Sequence, residues 1–143
     1  MSQPMPLVIV GAGGHGRSVL ELVRLDGRYD VQAFLDDQQP AGTDVMGVPV
    51  WGPTALLEQL PARGVPSVHV AIGHNRTRQT LCACARAAGL ELATLVHPRA
   101  FASPSAWSQA RPSWVCDTDL RVLYWIGCGA VCSGSASNWA RLR

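Results

Sequence analysis

The chain has 143 residues, 48% of them hydrophobic and 15% charged, which is enough apolar material for one globular domain and too little charge for a disordered chain. Its net charge of +2 comes from arginines scattered along the sequence, with no lysine anywhere, and this excludes the basic stripe or patch that a nucleic-acid partner requires. No run approaches the roughly 18 consecutive apolar residues of a membrane span, and residues 1–6 carry no basic stretch ahead of a long apolar one, so the expectation is a cytoplasmic protein without a membrane partner.

From Leu7 to about Val96 strand-like and helix-like stretches alternate, the pattern of parallel α/β architecture. The apolar run Leu7-Val8-Ile9-Val10 ends at Gly11-Ala12-Gly13-Gly14-His15-Gly16, and Val19, Leu22 and Val23 then form the stripe of a helix over residues 15–25 that stops at Asp26-Gly27. Residues 31–35 read as a second strand closing on Asp36-Asp37, and residues 46–50 as a short third one. Gly52-Pro53 opens a helix with Leu56, Leu57 and Leu60 on its buried face, ended by Gly64-Val65-Pro66. Residues 68–72 form another strand running into Gly73-His74-Asn75, Asn75 caps a helix over residues 76–88 with Leu81, Ala85 and Ala88 on one face, and residues 91–96 form a last strand before His97-Pro98.

The glycine loop reads as a phosphate cradle. Glycine turns where other residues are strained, and the helix that follows points its unpaired N–H groups back at the turn. The helix terminus favours an anion by about 0.3 to 2 kcal/mol, whereas a micromolar ligand needs about 8 kcal/mol, so neighbouring loops must contribute. Two are in place. In a parallel sheet the loops at Asp36-Asp37 and Gly73-His74-Asn75 lie on the same edge as the cradle.

Gly11, Gly13 and Gly16 match the spacing of a dinucleotide fingerprint, and Asp36, 20 residues beyond Gly16, stands where an acidic residue meets a ribose hydroxyl. Asp36 and Asp37 point to opposite sides of an extended chain and do not form an acid–base pair. His15 is kept neutral by the helix terminus and is either a hydrogen-bonding group for a phosphate or sugar hydroxyl or simply exposed. His74 poses the same choice, and Arg78 either reaches an anionic ligand or belongs to a solvated face. His69, inside a strand, reads as structural. Ser103, Ser105, Ser108 and Ser113 have no partner marking a nucleophile. The five cysteines fit no metal pattern: Cys82 and Cys84 are about 200° apart around their helix and cannot share an ion.

Residues 107–143 differ, holding four of the five tryptophans and three of the five cysteines with no clear period. Ile126-Gly127-Cys128-Gly129-Ala130-Val131-Cys132-Ser133-Gly134 has the look of one coil of a parallel β-helix, a fold that needs about three coils to be stable.

Five ordered motifs, Val8-Ile9-Val10-Gly11-Ala12-Gly13-Gly14-His15-Gly16, Phe34-Leu35-Asp36-Asp37, Gly47-Val48-Pro49-Val50-Trp51-Gly52, Ala71-Ile72-Gly73-His74-Asn75-Arg76-Thr77-Arg78 and Val96-His97-Pro98, resemble bacterial sugar acyltransferases of the NeuD/PglD type. These comprise sialic-acid O-acetyltransferases and UDP-amino-sugar N-acetyltransferases, and the resemblance covers residues 6 to about 106. It implies a small Rossmann-like parallel sheet with flanking helices over residues 1–96, binding a UDP- or CMP-linked sugar or a free sugar acceptor. It also implies a left-handed β-helix behind it that binds acetyl-CoA as co-substrate and forms a trimer. Gly11, Gly13, Gly14, His15, Asp36, Asp37, Gly52, Gly73, His74, Asn75 and Arg78 would then line the acceptor site. The family places a general-base histidine in the β-helix, and here no histidine follows His97. Residues 97–143 are therefore expected to be an incomplete β-helix remnant or an irregular tail, truncated or out of frame, with no catalytic residue assigned. Two other readings stand beside it, a non-catalytic sugar-nucleotide binding module and an NAD-dependent oxidoreductase fragment.

Overall fold

The computed structural model describes residues 3–95, 113–117, 122–127 and 130–132. Strand β1 (Met5–Val10) feeds helix α1 (Gly14–Asp26), which ends at Gly27 in the left-handed region (φ 72°) with its N–H on the Val23 carbonyl. Strand β2 (Tyr29–Leu35) follows and lies parallel to β1. Strands β3 (Asp44–Val45) and β4 (Val48–Gly52) form an antiparallel hairpin. Its two-residue turn, Met46-Gly47, has both φ angles positive (55° and 85°), the geometry that matches the twist of paired strands. Residues 46–50, expected as one strand, therefore include this turn.

Strand β5 (Ser67–Val70), helix α2 (Asn75–Ala87) and strand β6 (Glu91–Leu92) complete the sheet, in the order β3-β4-β2-β1-β5-β6. All pairings but the hairpin are parallel. The segment expected as a helix after Pro53 forms two 3-10 helices instead, Thr54–Gln59 and Pro61–Arg63. Pro61 has no N–H to return to the preceding turn, so an α-helix cannot run through it, and the chain tightens to shorter bonds on either side.

Side chains alternate across the sheet and make two apolar layers. Leu7, Ile9 and Phe34 pack under Val19, Leu20, Leu22 and Val23 of α1. Val8, Val10, Ala33 and Leu35 face Leu57, Leu60, Cys82 and Ala85 on the other side. The chain thus winds outward from β1 through β2 to β4, then returns to place β5 on β1's opposite flank. The reversal makes the C-terminal ends of β1 and β5 the switch point of the sheet, the crevice at which folds of this layout take ligands.

Strands β7 (Ser113–Asp117), β8 (Val122–Gly127) and β9 (Ala130–Cys132) form a separate antiparallel sheet, with Gly127 opposite Ala130. A β-helix coil pairs in parallel, so these described parts depart from that expectation. The rest of 97–143, including His97, lies outside the described residues. Among the described residues no helix is long and apolar enough to cross a membrane.

Helix α1 sits so low on the glycine loop that a β-carbon at Gly16 would lie 1.8 Å from the Gly11 carbonyl oxygen. Gly16→Ala must push helix and loop apart, at a cost of about 1 to 3 kcal/mol or more. Urea unfolding is expected to show a lower midpoint with an unchanged slope.

Candidate functional site

The crevice is built from backbone brought to one edge by the strands. Gly11 turns the chain at φ 105°, and a β-carbon there would stand 2.6 Å from the Ala71 carbonyl oxygen, so only glycine lets the β1 loop rest against the one after β5. The Gly11 N–H bonds the Leu35 carbonyl at 2.8 Å and the Ala71 N–H bonds the Val10 carbonyl at 2.7 Å, tying three strand ends together. Gly13 then stands at the N-cap of α1 without a side-chain cap. The first-turn N–H groups therefore face the crevice without intrahelical acceptors.

Asp36 holds this loop. One carboxylate oxygen accepts the Ala12 N–H at 2.7 Å and the other accepts the N–H groups of Gln38 (2.7 Å) and Gln39 (3.1 Å). The Asp36 N–H itself reaches the Gly52 carbonyl at 2.9 Å. Asp37 points away, as its position next to Asp36 requires, and accepts the Thr54 N–H at 2.8 Å, so it caps the first 3-10 helix across 17 residues. Sequence reasoning had no signal for Thr54, because the pairing is made in space rather than along the chain.

On the facing loop, His74 rather than Asn75 is the N-cap of α2: its Nδ1 accepts the Thr77 N–H at 3.3 Å and sits 2.9 Å from the Thr77 hydroxyl. An accepting Nδ1 leaves the proton on Nε2 of the neutral ring. The Asn75 Oδ1 instead accepts from Arg78 Nη2 at 2.7 Å, while Arg78 Nη1 donates to the Ile72 carbonyl at 2.9 Å. Arg78 is 1% exposed. It continues the stripe Arg78, Cys82, Ala85 that α2 buries against the sheet, and that spacing was the available sign of its burial.

Two histidines lie within the electrostatic reach of Arg78. His15, half-buried beside the cradle, has its pKa lowered by burial first and by Arg78 second. Its Nε2 is buried with no hydrogen-bond partner. His69 on β5 is 5% exposed, and its Nδ1 donates to the Ala93 carbonyl at 3.3 Å. Burial pushes His69 down to about 4, against the Ala93 bond and with help from His15 and Arg78.

The glycines of the site divide in two. Gly11 and Gly52 are buried and close against Ala71 and Leu56, so their small size serves packing. Gly13, Gly14 and Gly73 are exposed, and a β-carbon on any of them would meet nothing within 4 Å. The structure thus gathers all eleven sequence-predicted positions at the C-terminal edge of the sheet, with the exposed glycines around the crevice and Asp36, Asp37 and Arg78 engaged with backbone groups.

The sequence matches the PglD N-terminal domain over residues 6–83, more than half of the chain. The chain belongs to the PglD N-terminal domain family. It is 33% identical over 104 residues to UDP-N-acetylbacillosamine N-acetyltransferase of Bacillus subtilis, covering 70% of this chain and 46% of that protein. A point mutant of perosamine N-acetyltransferase from Caulobacter crescentus, solved with CoA and GDP-perosamine, superimposes with a TM-score of 0.64 at 41% identity over 70% of this chain and 46% of that one. The acetyltransferase domain of PglB from Neisseria gonorrhoeae, solved with acetyl coenzyme A, gives 0.62 at 41% identity over 71% and 48%. This PglD-type chain therefore spans about half the length of the relatives it matches. A Rex-family repressor shares the layout at 14% identity (TM-score 0.55), a likeness of fold alone.

The buried histidines set an acid limit on stability. Both take up a proton more readily unfolded than folded, so their contribution to stability is fully present above pH 6.5 and is lost as the pH falls, for His69 down to about 4. For His69 the gap from 6.5 to about 4 corresponds to about 3 kcal/mol at most. Urea titrations across that range are expected to show a shallower loss in His69→Gln than in the wild type, and identical slopes would place the linkage elsewhere.

Proposed function

We propose that the unit at residues 3–95 binds the nucleotide-linked sugar that accepts an acetyl group from acetyl-CoA in an N- or O-acetyltransferase reaction. Membership of the PglD N-terminal domain family supports this, as does the likeness to an N-acetyltransferase solved with GDP-perosamine. The observation that carries the reading is the trio Gly13, Gly14 and Gly73. Their missing side chains relieve no clash in the folded protein, which leaves close approach of a ligand to the backbone as their use. The diphosphate lies over the N–H groups of Gly13, Gly14 and His15, with the α1 dipole behind it. The His74 Nε2–H offers a further donor from the opposite loop.

In the transfer itself, a base takes the acceptor's proton as its nitrogen or oxygen attacks the thioester carbonyl, backbone donors steady the oxyanion, and the adduct collapses by breaking the C–S bond, so that CoA leaves as its thiol with that proton. The contribution of residues 3–95 is to bind and orient the acceptor, which converts a bimolecular encounter into a positioned one. A nicotinamide dinucleotide fits less well. The relatives at 33% and 41% identity are sugar N-acetyltransferases, whereas the likeness to an NADH-bound protein, at 16% identity, is one of fold alone.

Calorimetry is expected to show binding of UDP-, CMP- or GDP-linked sugars and none of NADH; tight NADH binding without nucleotide-sugar binding would overturn the reading. Gly14→Ala separates ligand from fold. The methyl group favours the helix by about 1 kcal/mol yet stands where the phosphate approaches, so thermal stability holds or rises while affinity falls about tenfold or more. Unchanged affinity would remove the phosphate from that position.

A further inference from the structure

Arg78 is the largest fully buried side chain among the described residues. A guanidinium in that setting has lost hydration that only well-placed hydrogen bonds replace. Here it donates into the turn after β5: Nη1 to the carbonyls of Ile72 (2.9 Å) and Gly73 (3.4 Å), and Nη2 to Asn75 Oδ1 (2.7 Å). Three acceptors within four residues match the rigid fork of arginine and could not be served in the same way by the point charge of lysine.

The same turn is a wall of the crevice. Gly11 rests against it, and a methyl group at that glycine would fall 2.6 Å from the Ala71 carbonyl oxygen and 3.3 Å from the Ile72 side chain. Gly73, at the exposed tip, offers no side chain to brace the turn. Asp36 fixes the glycine loop from one side, and Arg78 does the equivalent from beneath on the other.

We propose that Arg78 is a positioning residue of the nucleotide-sugar site: it fixes the turn at residues 72–75 in the shape that receives the diphosphate-linked acceptor, and it does so without touching the ligand. This rests on the function proposed above. A turn held in advance spares the ligand the cost of ordering it. The buried charge acts on His15 as well, in the direction that keeps the ring neutral.

Three variants and three readouts test it. In Arg78→Lys the charge stays and the fork is lost, so amide exchange at residues 72–75 speeds up, affinity for a UDP-sugar falls about tenfold, as for one lost charge-assisted hydrogen bond, and His15 titrates as in the wild type by NMR. In Arg78→Gln the charge is lost too, and the His15 pKa rises. Asn75→Ala, at an exposed position, leaves Arg78 in place and removes only one acceptor; it reproduces the faster exchange and the weaker binding even if the Arg78→Gln protein fails to fold. Lost affinity in Arg78→Lys with unchanged exchange in both Arg78→Lys and Asn75→Ala would mean direct contact and overturn the proposal. So would a complex with the guanidinium within hydrogen-bond distance of a phosphate. If the wild-type protein binds no nucleotide sugar, the functional reading fails, while exchange and the His15 titration still decide whether Arg78 holds the turn.

Discussion

The carbonyl oxygen of Gly11 occupies the space that a side chain at position 16 would need, and the rest of the site depends on that contact. Because only hydrogen separates them, α1 settles onto the end of β1 and its first N–H groups converge at the head of the sheet. The same turn brings Gly11 against Ala71, which draws the loop after β5 to the loop after β1. A crevice with donors on its floor follows from the backbone alone, and the apolar layers on both faces keep the strands that carry it in register.

Polar side chains then fix what the strands deliver. Asp36, Asp37 and Arg78 each sit just past a strand end or in a first helical turn, and each is bonded to backbone groups of a neighbouring loop. Their hydrogen bonds are made within the protein before any ligand arrives. The first-turn amides of α1 remain without acceptors within the helix. A loop edge braced in this way has little left to reorganise.

The layout was legible in the sequence because apolar runs ending in glycine, and stripes at helical spacing, are local signals. Helix α1 was expected over residues 15–25 and spans Gly14–Asp26, and the three polar loops were expected together and do share one edge. Less legible were features decided by contacts distant along the chain. Asp36 bonds the N–H of Ala12, 24 residues away in sequence, and no local pattern announces that pairing. Neighbouring short polar residues such as His74 and Asn75 compete for one cap, and local sequence does not choose between them. Whether a glycine is there to relieve a clash or to leave a gap, as with Gly11 against Gly13, depends wholly on what stands opposite.

The Asp36 clamp grips main-chain N–H groups at Ala12, Gln38 and Gln39 and asks nothing of the side chains there. Gln38 is exposed and Gln39 partly so, and both meet the carboxylate through the main chain alone. Substitutions at 38 and 39 can therefore change the surface beside the clamp while its main-chain bonds persist. The shape of the loop after β1 is in this way decoupled from the surface that residues 38 and 39 present.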